Sequence, residues 1–165
     1  FDEQLEFQGM DLFIPSLRYD ADIVRKLVKK NTFLKFHIKD SKKLPVDLKN
    51  SSNLIVHNRI NLEEITTHVG AMLYALPNSA RFSGWYNEAI YNKLPIIFLS
   101  EKMNNAFQSQ FNGFPSILSE EELCLDEIGD IKNRANKFNS LDFIKKNNVS
   151  FRTRFFEYIN HFNKL

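Results

Sequence analysis

A short polar stretch between two apolar runs carries residue types that could hold a phosphorylated ligand. Glu88 lies early in a predicted helix that begins near Ser83 and Gly84, and Arg81 stands just before it. A carboxylate there can accept two hydrogen bonds from a ribose diol, and an arginine beside free helix amides suits a diphosphate. Gly84 would let a ligand approach the helix start closely. Each also has an ordinary interpretation, as a solvated glutamate, a surface arginine and a simple helix-start glycine.

A second pair of candidates, Gly9 and Arg18, lies near the amino end. Apolar residues alternate ahead of Gly9, which predicts a first strand over Gln4–Gly9 and a loop over Met10–Tyr19. Gly9 would then follow a strand, where backbone and phosphate often meet, and Arg18 would add a phosphate cation or be an ordinary surface residue. No GxGxxG or P-loop pattern accompanies them. The segment Phe7–Met10 also resembles a protease-cleavage scar before an initiator Met, but the alternation favours the strand. We therefore expect the chain to be a piece of a longer protein.

Composition excludes several classes of protein. The formal net charge is +2 over 165 residues, which argues against a broad nucleic-acid surface. The lone Cys124 excludes an internal disulfide framework and a Cys-rich zinc site. No apolar run approaches the roughly 18 residues of a membrane span. We expect a protein without metal or cofactor, in the cytoplasm or peripheral to the inner face of the membrane. The four histidines are dispersed along the chain: His37, His57, His68 and His161. His37 and His57 fall on or at the end of predicted strands, so they are interpreted as structural histidines rather than metal ligands.

Short apolar strands alternate with amphipathic helices along the chain. After the first strand, further strands are predicted at Phe33–Ile38, Asn53–His57, Leu73–Leu76, Ile96–Leu99 and Phe114–Leu118. Helices are predicted at Ala21–Lys30, from Asn61 to about Val69, from Ser83 to about Asn92, patchily from Glu120 to Phe138, and in a carboxy-terminal helical segment, 139–165. Two polar stretches, Asp40–Ser52 and the Asn/Gln-rich residues after Ser100, are predicted as connections.

This alternation predicts an α/β fold: a Rossmann-like three-layer sandwich with a parallel sheet of about six strands and helices on both faces. The whole chain, 1–165, is expected to be one domain. Ligands of such sheets bind at the carboxyl ends of the strands. The loops expected there are Gly9–Arg18, Lys39–Leu44, His57–Asn61 and Leu76–Ser83, joined by the loop after Leu99.

The stretch from Asn53 to Ser100 resembles the carboxy-terminal, nucleotide-sugar-binding domain of GT-B glycosyltransferases. The shared order is a strand, a turn, a capped helix, a small apolar strand, a ligand loop, a helix bearing Glu and Ala, and an apolar strand after Leu-Pro. Glu88-Ala89 and Leu94-Pro95-Ile96 stand in the last two places. LEFQG, FLKFHIKDS and SILSEEEL extend the likeness to about residues 4–125.

The resemblance implies a role for each candidate residue. Glu88 would hold the donor ribose, and the turn after the third strand would lie against the base through backbone groups and one apolar side chain. Three residues would lie near the diphosphate, and two would face the donor from the opposite loop. The residues of that turn are Asn58 and Ile60, at the base. The residues near the diphosphate are Arg81, Ser83 and Gly84. The residues that face the donor from the opposite loop are Gly9 and Arg18.

The chain also departs from the family pattern. Retaining members use two glutamates with seven residues between them, and the first would fall at Ala80. Lys93 and Asn58 stand where glycines are usual. The catalytic residues and the stereochemical outcome are therefore unassigned, and no metal ligand is expected.

The function implied is transfer of a sugar from a nucleotide-diphosphate sugar to an acceptor hydroxyl, in bacterial polysaccharide or glycoconjugate synthesis. This chain would be the donor-binding domain, its partners an acceptor glycan or lipid-linked sugar and an amino-terminal acceptor domain that the chain lacks. One alternative is a non-catalytic Rossmann-like interaction domain. Another is a small-molecule enzyme on a flavodoxin-like sheet.

Overall fold

Six parallel strands form one open sheet. The computed structural model describes residues 4–15, 19–39, 44–76 and 85–146. The strand order is β3-β2-β1-β4-β5-β6, and every neighbouring pair is parallel. This confirms the predicted parallel sheet of six strands. The strands are β1 (Asp11–Ile14), β2 (Phe36–Lys39), β3 (Leu54–His57), β4 (Val69–Tyr74), β5 (Ile96–Phe98) and β6 (Ser116–Leu118).

Helices connect the strands. They are α1 (Ala21–Lys30), α2 (Val46–Lys49), α3 (Leu62–Ile65), α4 (Trp85–Tyr91), α5 (Glu101–Gln110) and α6 (Leu125–Asn136), and residues 140–146 are also helical. The best-predicted helix is α1, whose cap Asp20 accepts hydrogen bonds from the amides of Asp22 and Ile23. Its last turn carries Lys29 and Lys30, which complement the negative end of the helix dipole.

The sheet separates two hydrophobic clusters, which confirms the predicted layers of helices on both faces. One cluster joins the sheet to α1 and α6 through residues such as Leu27 and Ile128, and we name this side the α1 face. The other joins it to α3, α4 and α5 through residues such as Ile65, Ile90 and Phe107, and we name that side the α4 face. Adjacent residues of one strand point to opposite faces, as a pleated strand requires.

The predicted position of the first strand was wrong. The strand is Asp11–Ile14, inside the segment expected to be a loop, while residues 4–10 run without regular structure ahead of it. Leu12, Phe13 and Ile14 are almost wholly buried because β1 lies between two strands and under helices on both faces. The sequence of a central parallel strand is a continuous apolar run, whereas the alternation seen before Gly9 is typical of a strand with one face exposed to solvent.

Gly9 therefore lies at the amino end of β1, opposite the edge where it was predicted. A Cβ atom on Gly9 would lie 1.6 Å from the carbonyl oxygen of His68, and one on Gly70 would lie 2.3 Å from the carbonyl oxygen of Gly9. The two glycines allow the chain before β1 to pass against the start of β4. Lys132 of α6 fixes the same place, its Nζ donating to the carbonyls of Gln8 and Gly9 at 2.6 and 2.7 Å.

Two polar stretches that were predicted as connections contain helices. Residues after Ser100 form α5, which Ser100 caps through the amide of Met103, and Met103 and Phe107 lie buried one turn apart. The stretch with Pro45 contains the short helix α2, whose Leu48 is buried. In both cases a few apolar residues at helical spacing outweigh an otherwise polar composition.

Other predicted boundaries also shift. β4 begins at Val69 rather than Leu73. The helix predicted from Glu120 begins at Leu125, as α6. The side chain of Asn139 accepts from the amide of Asp142 at the start of helical residues 140–146. The rest of the predicted carboxy-terminal segment, 147–165, lies outside the described residues.

Candidate functional site

The strand order creates a crevice at one edge of the sheet. Connections leave β1 toward β2 and leave β4 toward β5, so the chain departs in opposite directions from two neighbouring strands. At such a switch point, the carboxyl ends of the strands leave room for a ligand between the diverging loops. The amide of Asp20, at the start of α1, donates to the carbonyl of Ala75 at 3.0 Å and ties the two sides of the crevice together.

Helix α4 presents Glu88 beside this crevice. Tyr86, Ala89 and Ile90 are buried against the sheet, which leaves Glu88 on the exposed side of the helix. Its side chain makes no hydrogen bond or ion pair within the described part of the chain, so the carboxylate can accept hydrogen bonds from a ligand. Its backbone carbonyl accepts from both the amide and the side chain of Asn92 at 3.0 Å, which fastens the end of the helix.

The start of α4 is anchored on the strand beside the crevice. The indole ring of Trp85 packs edge-on against Phe13 of β1, with ring centroids 5.2 Å apart. Below it, Tyr86 packs among Tyr74, Phe98 and Phe107. Burial raises the pKa of Tyr86 to about 12, so its phenol stays neutral in the physiological range. Aromatic packing therefore fixes the position of Glu88 relative to β1.

The turn after β3 lies at the same edge. Asn58 and Arg59 are exposed, whereas Ile60 is half-buried and packs against the cluster on the α4 face. The side chain of Asn61 accepts from the amide of Glu63 at 3.2 Å and caps α3. Two strands separate β3 from β4, which amounts to about 14 Å at the usual spacing. Ile60 of this turn and Trp85 at the start of α4 both pack against the cluster on the α4 face.

A cleft of about 730 Å³ opens beyond the ends of β5 and β6 on the side of α1. Its lining includes the apolar side chains of Ile23, Leu99 and Leu118 and the acidic side chains of Glu101 and Glu120. Leu99 follows β5, so the cleft continues the crevice at the carboxyl edge. It lies where the predicted fifth loop joins the others.

Only some of the predicted site residues lie at the carboxyl edge of the sheet. Glu88, Asn58 and Ile60 lie at the carboxyl edge, although on separate elements. The prediction for Gly9 was wrong in its location, because this residue lies at the opposite edge and contacts the backbone of His68. The remaining residues lie outside the described part of the chain: Arg18, Arg81, Ser83 and Gly84.

A hydrogen-bonded row of three side chains was not predicted from the sequence. Asp11, His37 and His57, from three neighbouring strands, form a hydrogen-bonded chain on the α4 face, with distances of 3.0 and 2.9 Å between successive partners. His37 and His57 were interpreted as structural histidines, whereas Asp11 was placed in a predicted loop. With β1 predicted at its correct position, Asp11, His37 and His57 would have been placed on neighbouring strands. Among the described residues, no group of three or more His, Cys, Asp or Glu side chains could hold a metal ion.

Comparison with known proteins supports the fold. No family model matches the chain, and no curated protein matches its sequence. A solved structure of a glycotransferase of kitacinnamycin matches at a TM-score of 0.50 with 9% identity, over 93% of this chain and 41% of that chain. The spinosyn forosaminyltransferase SpnP matches at a TM-score of 0.45 with 12% identity, over 88% of this chain and 44% of that one. The chain thus spans less than half the length of either. The first likeness shows a glycosyltransferase-like fold. Within the described ranges, no helix is long and apolar enough to cross a membrane.

Proposed function

We propose that this chain is the donor-binding domain of a GT-B glycosyltransferase. It would bind a nucleotide-diphosphate sugar and, with an amino-terminal acceptor domain, transfer the sugar to a hydroxyl of an acceptor glycan or lipid-linked sugar. The reaction would serve bacterial polysaccharide or glycoconjugate synthesis. The observation that carries the proposal is the exposed carboxylate of Glu88, on the helix that follows β4 at the switch point of the sheet.

The donor would extend along the carboxyl edge on the α4 face. Glu88 accepts hydrogen bonds from the two ribose hydroxyls, and the base lies against Ile60 and the backbone near Asn58. Arg81, Ser83 and Gly84, together with Arg18, are proposed to meet the diphosphate. As the sugar–oxygen bond breaks, negative charge grows on the diphosphate, and arginine side chains stabilise it by charge-assisted hydrogen bonds.

The test measures binding of UDP and, in parallel, GDP to the full chain by calorimetry. Glu88→Gln keeps the size of the side chain but removes its charge, so two charge-assisted hydrogen bonds to the ribose are weakened. A loss of about 1.5–3 kcal/mol corresponds to a Kd increase of roughly 10- to 150-fold. Glu127→Gln, on an exposed turn of α6, is the matched control and should bind like the wild type. Equal affinities in all three proteins would refute the role of Glu88.

A second candidate is a non-catalytic interaction domain with the same fold. Ala80 favours it, because it stands where the retaining families carry their first glutamate. Thermal unfolding with a panel of nucleotides separates the two: a ligand at 100 times its Kd adds about 2.7 kcal/mol of stability. No response to any nucleotide supports the interaction domain.

A further inference from the structure

The chain of Asp11, His37 and His57 ends directly beneath the turn after β3. Oδ2 of Asp11 lies 3.0 Å from Nε2 of His37, and Nδ1 of His37 lies 2.9 Å from Nε2 of His57. His37 is 2% exposed, whereas His57 is half-buried and is the last residue of its strand. The hydrogen bonds therefore run from the amino end of β1, across the middle of β2, to the carboxyl edge of β3.

The number of protons on the two histidine rings decides whether the hydrogen bonds that link Asp11, His37 and His57 are kept. The carboxylate of Asp11 only accepts, so Nε2 of His37 carries a hydrogen. When both rings are neutral, Nε2 of His57 donates to Nδ1 of His37. One added proton is accommodated, because His37 can then donate to a neutral His57. A second proton sets two N–H groups and two positive charges against each other, and the bond between the rings is lost.

The turn is attached at its first end by His57, whose backbone pairs with Lys39 in the ladder of β2 and β3 and whose side chain bonds to His37. At the far end, Asn61 caps α3 and Ile60 packs on the α4 face. Between these attachments, Asn58 and Arg59 are exposed. Loss of the bond between the rings would therefore remove the side-chain part of the first attachment, while the second attachment stays in place.

We propose that His37 and His57 are positioning residues, which hold the turn of residues 57–61 for the base of the donor and release it when both rings are protonated. The effect on donor binding rests on the proposed function, in which this turn lies against the base. The movement of the turn itself does not. Neither histidine is required to contact the nucleotide.

Several charged groups face the histidine pair. Asp11 on β1 and Glu64 on α3 favour a positive charge. Lys39, the register partner of His57 on β2, and His68, whose ring stacks on His37 at 6.1 Å, oppose it when charged. Burial, followed by the nearness of His37, outweighs Glu64 and holds the pKa of His57 below its ordinary value of 6.5. Release of the turn is therefore expected below that pH.

The experiment follows the full chain by NMR from about pH 7.5 down to about pH 5, the range in which histidines change charge. The ring signals of His57 and the backbone amides of residues 58–60 are recorded together. His57→Gln offers an amide that donates to His37 but does not titrate. His68→Gln is the control, because His68 touches His37 by ring stacking alone. We expect the turn amides to shift with the His57 ring in the wild type and the control, and to stay still in His57→Gln.

Nucleotide affinity gives the second measurement. UDP itself titrates near pH 6, so the wild type and His57→Gln are compared at each pH. The two should bind alike near pH 7.5, and the wild type should weaken relative to the variant by up to about tenfold per pH unit for each linked proton. GDP is tested in the same way.

The outcomes separate the two proposals. The positioning role would be overturned if the amide signals of residues 58–60 do not shift as His57 titrates in the wild type, or if they shift equally in His57→Gln. An affinity ratio independent of pH would overturn its link to donor binding. Absence of binding by both nucleotides near pH 7.5 would instead refute the proposed function, while the NMR titration still decides whether the histidines hold the turn.

Discussion

Replacing Gly9 by alanine separates a structural role from a ligand-binding one. Sequence analysis placed Gly9 in a loop that faces the donor, whereas the fold places it at the opposite edge of the sheet. The new methyl group would lie 1.6 Å from the carbonyl oxygen and 1.9 Å from the carbonyl carbon of His68. Both are backbone atoms that cannot rotate away, so the two segments must separate by more than an ångström. Gly9→Ala should therefore destabilise the fold and leave nucleotide affinity unchanged.

The magnitude follows from the bonds at this contact. The amide of Asp11 donates to the carbonyl of His68, and that of Gln8 donates to the carbonyl of Thr66, each at 2.8 Å. Loss of both costs about 1 kcal/mol each, and forcing an extra methyl group into a packed site costs about 1–3 kcal/mol more. The total of about 3–5 kcal/mol is a large part of the roughly 5–15 kcal/mol that stabilises a typical protein. For a chain of this size, Tm should fall by about 6–20 °C.

Thermal unfolding followed by circular dichroism measures this change, and calorimetry with UDP measures binding in the same preparations. Gly129→Ala is the control, since a Cβ there meets nothing within 4 Å and the residue lies inside α6. It should raise stability by about 0.5–1 kcal/mol, because alanine is the better helix former. If Gly9→Ala keeps its Tm but loses nucleotide binding, the placement of Gly9 away from the site is contradicted.

Two further predictions concern buried polar groups. The side chain of Asn31 is fully buried, donates to the carbonyls of Leu27 and Glu121 at 2.8 and 2.7 Å, and accepts from the amide of Leu123 at 2.8 Å. Because these bonds are lost, Asn31→Ala should lower the free energy of unfolding in urea by about 2–4 kcal/mol, and a decrease below about 1 kcal/mol would contradict this. The lowered pKa of His57 means that its contribution to stability is present above about pH 6.5 and is lost as the pH falls through the lower folded value. The urea midpoint should therefore fall less between pH 7 and pH 5.5 in His57→Gln than in the wild type, and an equal fall would contradict the assignment.

The sequence predicted best where local signals and tertiary packing agree. Asp20 followed by apolar residues at helical spacing gave α1 with its bounds, and the apolar run after Pro95 gave β5 to within a residue. The strand β1 was missed because a strand buried on both faces carries no alternation, and Pro15 just after it suggested a loop. The helix α5 was missed because Met103 and Phe107 are its only fully buried apolar residues among many amides.

The candidate site was predicted in part for a similar reason. The turn containing Asn58 and Ile60 could be placed because it directly follows β3, and Glu88 could be placed because its helix is the next element after β4. Gly9 could not, since its position depends on where β1 begins. The contact of Asp11 with His37 could not be predicted either, because the two residues lie 26 positions apart in sequence, on different strands. Long-range pairing of this kind depends on register, which a single sequence specifies only after each strand has been located.

The measurement that tests the central claim most directly is a double-mutant cycle between Glu88 and the ribose. Calorimetry compares UDP with 2′-deoxy-UDP on the wild type and on Glu88→Gln, and GDP with 2′-deoxy-GDP in parallel. If Glu88 holds the ribose diol, loss of the 2′-hydroxyl should weaken binding to the wild type by about 1 kcal/mol or more, and by much less in the variant. An equal penalty in both proteins would show that Glu88 does not touch the ribose and would contradict the proposed site.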